Sequence, residues 1–196
     1  MRVIAGTAGG RRLVAPRGTD VRPTQDRVKE AVFSALGPAR LVDAAVLDGC
    51  AGSGGLGIEA LSRGARFAVF VEPDRAAERC VRANLESTGF VGHSELHACA
   101  LGVFLHAPGA ASGTAVAGRM VFDLVFLDPP YAMPDVEVAT FLQLLMAGQW
   151  LAKNATVVIE RGVSSDIAMP DGLSVSWQRR YGDTLIVMVS CQTPST

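Results

Sequence analysis

Cysteine, histidine and aromatic residues are all sparse in this chain. Cys50, Cys80, Cys99 and Cys191 lie far apart in 196 residues, with neither the paired spacing of a zinc site nor the density of a disulfide scaffold. They read as reduced, mostly buried thiols, and no metal is expected. His93, His97 and His106 sit in no motif and are given no role. No apolar run approaches the roughly 18 residues that cross a bilayer. Met1-Arg2-Val3-Ile4 is followed at once by Gly, Thr and Arg residues rather than by the apolar stretch of a secretory signal. The chain is therefore expected to be cytoplasmic, with no membrane partner.

The sequence has the composition of one well-packed globular unit. Apolar residues make up 49% and charged residues 19%, which rules out a core-less, disordered chain. The length suits one domain with a short appendage, since single cores usually take roughly 100 to 200 residues. The net charge of −1 conceals an asymmetry. Residues 1 to 29 carry Arg2, Arg11, Arg12, Arg17, Arg22, Arg27 and Lys29 against Asp20 and Asp26, so that end is +5 and the remainder −6. A basic end on an acidic protein suits a phosphate-binding surface, although a merely solubilising arm would have the same charge.

Residues 1 to 20 mix short apolar pieces with Gly6, Gly9, Gly10, Pro16 and Gly18, the pattern of a small β-hairpin. A helix is predicted from about Asp26 to Leu36, capped by Thr24 or Gln25, with Val28, Val32, Phe33 and Leu36 as its apolar stripe. Strands and helices then alternate, the signature of a parallel sheet. The predicted strands are Ala45 to Asp48, Phe67 to Glu72, Ser94 to Ala98, Leu124 to Leu127 and Thr156 to Glu160. Helices are predicted after the Gly-rich loop through Ser62, from Arg75 to Ser87, near Leu101 and from Val136 to Leu145. Ala107 to Arg119 reads as a flexible loop without chemistry. Ser174 to Arg179 and Thr184 to Val189 are too close for a parallel crossover and should pair as an antiparallel hairpin. A mainly parallel sheet closed by such a hairpin points to the methyltransferase variant of the doubly wound α/β fold. The chain shows no internal repeat.

Gly52-x-Gly54-x-x-Gly57 follows a strand and opens a helix, and Glu72 ends the next strand twenty residues after Gly52. Glycines there let a ligand approach the backbone, and the carboxylate accepts hydrogen bonds from a ribose diol. The motif identifies a nucleoside cofactor without choosing one. Asp48, four residues before Gly52, suits the ammonium and sulfonium of S-adenosylmethionine and would repel the pyrophosphate of NAD.

Asp128-Pro129-Pro130-Tyr131 follows the most apolar strand, which places it at the same sheet edge as the glycine loop. Successive prolines stiffen the backbone and lack N–H groups, so their carbonyls are expected to point outward unpaired. Asp128 and the Pro129 carbonyl can then accept both hydrogens of a base amine, aiming its lone pair at a methyl donor. Tyr131 offers a face on which a flipped base stacks.

Over nearly its whole length the chain resembles the RsmD family of small-subunit (16S) ribosomal RNA guanine-N2 methyltransferases. The resemblance is carried by Arg2-Val3-Ile4-Ala5-Gly6, the segment from Arg22-Pro23-Thr24 to Glu30, Leu47-Asp48-Gly49-Cys50-Ala51-Gly52-Ser53-Gly54, the stretch from Leu56 to Ala65, the tetrapeptide, and Tyr181-Gly182-Asp183-Thr184. It implies a Rossmann-like class I S-adenosylmethionine-dependent methyltransferase with a mostly parallel seven-stranded sheet. Residues 22–196 would form that domain and residues 1–21 a basic β-hairpin extension.

The catalytic residues implied are Asp128, Pro129, Pro130 and Tyr131. The cofactor contacts implied are Asp48, Gly49, Ala51, Gly52, Ser53, Gly54, Glu72, Pro73, Cys99, Ala100 and Asp128, with Thr24 and Arg27 beside them. Arg2, Arg11, Arg12, Arg17 and Arg22 would meet RNA phosphates. The implied substrate is the 2-amino group of one guanine in small-subunit RNA, within an assembled or partly assembled 30S particle, with the chain acting as a monomer. Where the family often has Asp or Asn before Ala, this chain has Cys99-Ala100. A thiol accepts hydrogen bonds poorly, so the adenine would rely on the Ala100 backbone, a water or apolar packing.

Three other readings use parts of the same pattern. A DNA adenine or cytosine amino-methyltransferase would share the tetrapeptide but generally needs a target-recognition region for which little length is left. An NAD-dependent oxidoreductase would share the glycine loop and leave the tetrapeptide and basic end unexplained. A non-catalytic RNA-binding assembly factor would not need Asp128 and Tyr131.

Overall fold

The computed structural model describes residues 1–16, 23–106, 115–116 and 119–191. Its helices are α1 (Pro23–Leu36), α2 (Gly55–Ser62), α3 (Arg75–Thr88), α4 (Leu101–His106) and α5 (Asp135–Ala147). Its strands are β1 (Ala45–Asp48), β2 (Phe67–Val71), β3 (Ser94–His97), β4 (Ala115–Val116), β5 (Arg119–Met120), β6 (Phe122–Leu127), β7 (Leu151–Gly162), β8 (Leu173–Tyr181) and β9 (Thr184–Cys191). Seven strands form one sheet in the order β3-β2-β1-β6-β7-β9-β8, and β4 pairs only with β5.

β3, β2, β1, β6 and β7 run parallel, because α2, α3 and α5 carry the chain back across the sheet between successive strands. β9 is antiparallel to both β7 and β8, and Gly182-Asp183 suffices to turn the last hairpin. From β1 the order proceeds outward through β2 to β3, then resumes at β6 on the other side. That reversal opens a crevice at the carboxyl ends of β1 and β6. Both faces of the sheet are covered. Val46, Phe70, Phe126 and Val158 pack beneath α1, α2 and α3. Leu47, Val69, Val125 and Ile159 meet Leu101, Phe104, Leu142 and Trp150 on the face of α4 and α5.

Local chemistry sets the helix ends. Asp74 caps α3, its carboxylate accepting from the Ala76 and Ala77 N–H groups at 2.9 and 2.8 Å, and Gly89 closes that helix in the left-handed conformation. α1 begins at Pro23, so Thr24 and Gln25 lie inside it rather than capping it. Proline fits the first helical turn, where its missing N–H is not needed, and this outweighs the capping preference read from the sequence. β7 runs from Leu151 rather than Thr156, its added length including the exposed Lys153 and Asn154. Within the stretch expected to be a loop, β4 and the start of β5 form a short antiparallel pair.

Residues 1–16 fold back on themselves with one bridge, Arg2 to Arg12, supported by Val3 N–H to Arg11 O and Gly10 N–H to Val3 O, both at 2.9 Å. Residues 17–21 of the expected hairpin lie outside the described residues, and the anchoring of residues 1–16 is tertiary. Val3, Ala8 and Leu13 are buried in the core under α1 and α2. Glu59 of α2, fully buried, accepts from the N–H groups of Ile4 at 2.7 Å and Ala5 at 3.0 Å. It also pairs with Lys29 at 3.5 Å and Arg63 at 2.7 Å. Gly6 is required here, since a Cβ would lie 1.8 Å from the Ser62 carbonyl oxygen. Among the described residues no helix is long and apolar enough to cross a membrane.

Removing Glu59 would leave Lys29 buried without its charge partner and the turn at Ile4 and Ala5 without its acceptor. Glu59→Ala is expected to cost about 3–5 kcal/mol in chemical denaturation and to speed amide exchange at Ile4 and Ala5 more than in β6. Unchanged exchange at those two amides would contradict this anchoring role.

Candidate active site

Four parallel strands end at one edge, and each brings a carboxylate there. Asp48 ends β1, Glu72 follows β2, Asp128 follows β6, and Glu160 lies near the end of β7. Leu127 is paired with Ile159, so Asp128 and Glu160 are the next residues along their two adjacent strands. Alternation along a strand puts Asp48 on the face of Val46, Asp128 on that of Phe126 and Glu160 on that of Val158, the side covered by α1. Two adjoining cavities meet here, one of about 390 Å³. Val28, Cys50, Gly52, Glu72, Asp128 and Glu160 line both.

Crowding of buried carboxylates governs the electrostatics. Loss of hydration, followed by repulsion from Asp128 and Glu72, raises the Asp48 pKa to about 7 despite a hydrogen bond from Gly57. Asp128 presents its surface to the crevice, which makes it reachable. Protein nevertheless surrounds it closely enough for desolvation to raise its pKa to about 6 against the opposing pull of Arg161. Glu160 is pushed up to about 8 by desolvation and then by Asp128, with the Tyr131 hydroxyl opposing through a hydrogen bond. Burial and the same carboxylates push the Cys50 thiol to about 12, which leaves it unreactive. A cation entering the crevice would relieve the repulsion.

Two of these carboxylates also build the glycine loop. Glu72 accepts from the Gly52 N–H at 2.7 Å and the Asp74 N–H at 2.8 Å, leaving lone pairs on the same oxygens for a diol. Asp48 accepts from the Gly57 N–H at 2.8 Å. Gly52 and Gly54 have φ of 55° and 80°, the region that favours glycine. A Cβ on Gly57 would come within 2.4 Å of the Phe70 ring, so that glycine serves the close packing of α2 on β2.

The expected cofactor residues divide by position. Asp48, Ala51, Gly52, Ser53, Glu72 and Asp128 line the first cavity. Gly49, Pro73 and Ala100 line the second, again with Gly52, Glu72 and Asp128. Gly54 caps α2, and Cys99 packs against the core on the α4 side; neither lines a cavity. Arg27 is exposed and lines neither, while Thr24 lies in α1 with its side chain outside the described residues. α1 turns Val28 and Val32 of its expected apolar stripe toward the first cavity together with Lys29, whose burial the charge pattern of the segment did not reveal.

At the tetrapeptide, the Pro129 carbonyl accepts no hydrogen bond from the described residues, as expected. The Pro130 carbonyl does not follow the expectation. It accepts from the Met133 N–H at 2.9 Å and from Arg161 Nη1 at 3.1 Å. Arg161 is buried and also holds the Met133 carbonyl at 2.5 Å and Asp135 at 3.0 Å. One guanidinium thus fixes the turn after the tetrapeptide, and because it comes from β7 it could not be read from local sequence. Tyr131 is 51% exposed, with its hydroxyl 2.9 Å from Thr184 Oγ1. Tyr181, Gly182, Asp183 and Thr184 complete the wall of the second cavity.

Glu160 and Arg161 are thus residues at the crevice that motif reading missed, and Thr184 was read as part of the Tyr181–Thr184 segment without a role. The first had a signal: an apolar strand beside that of Asp128 that also runs into an acid. Of the arginines expected at RNA, Arg2, Arg11 and Arg12 are exposed. Arg2 pairs with Asp26 at 3.8 Å, and Arg11 donates to the Ser87 carbonyl. Arg17 and Arg22 lie outside the described residues. Exposed Arg179 and Arg180 stand on β8 immediately before the cavity-lining Tyr181.

A seven-stranded sheet of this order, with the glycine loop after β1, an acid after β2 and Asp-Pro-Pro-Tyr after β6, defines a Rossmann-like class I methyltransferase fold. Residues 1–190 match the family model described as Conserved hypothetical protein 95, and the chain belongs to that family, the RsmD family. It is 33% identical to Ribosomal RNA small subunit methyltransferase D of Haemophilus influenzae, over 93% of this chain and 89% of that protein. It is 37% identical to the Escherichia coli K12 protein of the same name, over 85% and 77%. The solved structure of Escherichia coli yhhF superimposes with a TM-score of 0.81 at 32% identity, covering 98% of both chains. Magnesium protoporphyrin IX methyltransferase of Synechocystis, solved with bound S-adenosylmethionine, shares the fold at 14% identity and a TM-score of 0.64, over 88% of this chain and 82% of that one.

The Asp48 pKa gives the site a stability signature. A folded-state pKa raised from 3.8 to about 7 means that the stability linked to its proton is complete below the lower value and lost as pH rises to the upper one. Asp48→Asn keeps an acceptor for the Gly57 N–H and removes the titration. Its melting temperature is expected to gain on the native protein steadily from about pH 4 to pH 7 and then hold level. A difference independent of pH would contradict the assigned cause.

Proposed function

We propose that this chain transfers a methyl group from S-adenosylmethionine to the exocyclic 2-amino group of a guanine in small-subunit ribosomal RNA. The observation that carries the reading is the pairing, at the mouth of an acidic crevice, of the Asp128 carboxylate with an unpartnered Pro129 carbonyl. The names of the relatives support the RNA class of the substrate.

The residues present fit the cofactor. Its sulfonium and ammonium are the charges that Asp48 and Asp128 lack, and Glu72 has lone pairs for the ribose diol. The Ala100 N–H, which has no acceptor among the described residues, faces adenine in place of the side chain that Cys99 cannot supply. S-adenosylmethionine, when bound, supplies the activated methyl group.

The protein's part in the chemistry is orientation. Asp128 and the Pro129 carbonyl accept the two amine hydrogens, which draws the nitrogen lone pair out of conjugation and fixes its direction. The positive charge that grows on the nitrogen is stabilised by Asp128, to which the released proton passes. Arg161 holds the Pro130–Asp135 turn so that these acceptors do not relax. Tyr131 stacks on the extruded base, a contact worth about 1 to 3 kcal/mol. Arg2, Arg11 and Arg12 at one end, and Arg179 and Arg180 beside Tyr181, meet phosphates of the surrounding RNA within an assembled or partly assembled 30S particle.

Isothermal calorimetry is expected to show binding of S-adenosylmethionine and none of NAD, and the reverse would remove the methyltransferase reading. Asp128→Ala is expected to lower methyl transfer to small-subunit RNA by at least about 100-fold at saturating cofactor, while weakening cofactor binding far less, since Asp48 and Glu72 remain. Undiminished turnover would make the tetrapeptide a structural turn.

A further inference from the structure

We infer that Glu160 reads the ring N–H beside the target amine, so that the crevice selects guanine over the other amino bases; this rests on the guanine reading above. Glu160 and Asp128 follow the paired residues Ile159 and Leu127 on adjacent parallel strands, and both line the two cavities. Asp128 is occupied by the amine. Glu160 is half-buried, and no ion pair among the described residues includes it. A carboxylate removed from water without a cation is unfavourable, and the mechanism so far gives it nothing to do.

Its surroundings orient it. The Tyr131 hydroxyl hydrogen-bonds the Glu160 carboxyl and also meets Thr184 Oγ1 at 2.9 Å. The ring on which the base stacks is therefore tied to the carboxyl that would meet the base edge. No other described residue hydrogen-bonds the Glu160 side chain, which leaves the carboxyl to accept from a ligand.

The amino bases differ at the ring nitrogen adjacent to the amine. Guanine carries a hydrogen there, on N1. Adenine N1 and cytosine N3 are bare acceptors. With the cationic cofactor in the crevice Glu160 gives up the proton that the empty site holds, and an ionised acceptor beside Asp128 satisfies guanine and opposes a lone pair with a lone pair in the other two. Sites built to bond a particular N–H reject analogues that lack it far more strongly than apolar pockets discriminate by size.

The test uses RNA in which the mapped target guanosine is replaced by 2-aminopurine riboside, which keeps the 2-amino group and has a bare N1. Native enzyme is expected to lose about 100-fold or more in kcat/KM on this substrate. The 6-thioguanosine substitution keeps the N1 hydrogen and alters only position 6, and should stay within about tenfold of guanosine. Glu160→Gln presents an amide N–H to a bare N1, so its guanosine to 2-aminopurine ratio, taken at saturating S-adenosylmethionine, should fall at least about tenfold below that of the native enzyme.

An unchanged ratio in Glu160→Gln would overturn the role of Glu160. So would equal turnover of guanosine and 2-aminopurine by the native enzyme, a result that does not depend on the variant folding. Equal losses on 2-aminopurine and 6-thioguanosine would assign the selection to position 6 and overturn it as well. Methyl groups found by nucleoside mass spectrometry on adenine or cytosine amines would instead bring down the guanine reading itself.

Discussion

Parallel strands in register bring Asp48, Glu72, Asp128 and Glu160 to one sheet edge, and the removal of these acids from water, with mutual repulsion added to it, is the constraint around which the site is built. Two are partly neutralised by structure, since Asp48 and Glu72 accept backbone N–H groups of the glycine loop. Asp48, Asp128 and Glu160 still hold protons more tightly than carboxylates in water, at about 7, about 6 and about 8. An anionic cofactor would meet a repulsive wall, whereas a cationic one gains from the same groups. The fold supplies the crevice, and the charges decide what enters it.

The remainder of the molecule holds that edge in shape. Arg161 reaches from β7 to fix the turn after the tetrapeptide through the Pro130 and Met133 carbonyls, beside Pro129 in the wall of the second cavity. Glu59 performs a comparable service on the other side of α2, tying the first residues of the chain to the helix that begins at the glycine loop. Both are buried charges in well-paired networks, so each sets local geometry more than it adds net stability.

Much of this was legible from local sequence because the informative signals were local. The strand, glycine loop and helix from Ala45 to Ser62 could be read from a run of apolar residues followed by glycines, and Glu72 from its distance to them. The C-terminal hairpin followed from the shortness of its connection. Features that depend on residues distant in sequence were not legible. The Pro130 carbonyl looked free because its partner, Arg161, lies on another strand. Thr24 and Gln25 have the side chains of caps, but Pro23 before them takes the first helical turn. Glu160 carried the same pattern as Asp128, an apolar strand ending in an acid, but no proline or glycine drew attention to it.

The central claim is that Asp128 and its neighbours present a guanine amine of small-subunit RNA to a methyl donor. The most direct measurement is nucleoside mass spectrometry of ribosomal RNA and DNA from cells lacking the gene, with the native chain or Asp128→Ala supplied in trans. The account predicts loss of N2-methylguanosine from small-subunit RNA, restored by the native chain and not by the variant. Unchanged N2-methylguanosine, or a methyl group lost from adenine, cytosine or DNA instead, would contradict it.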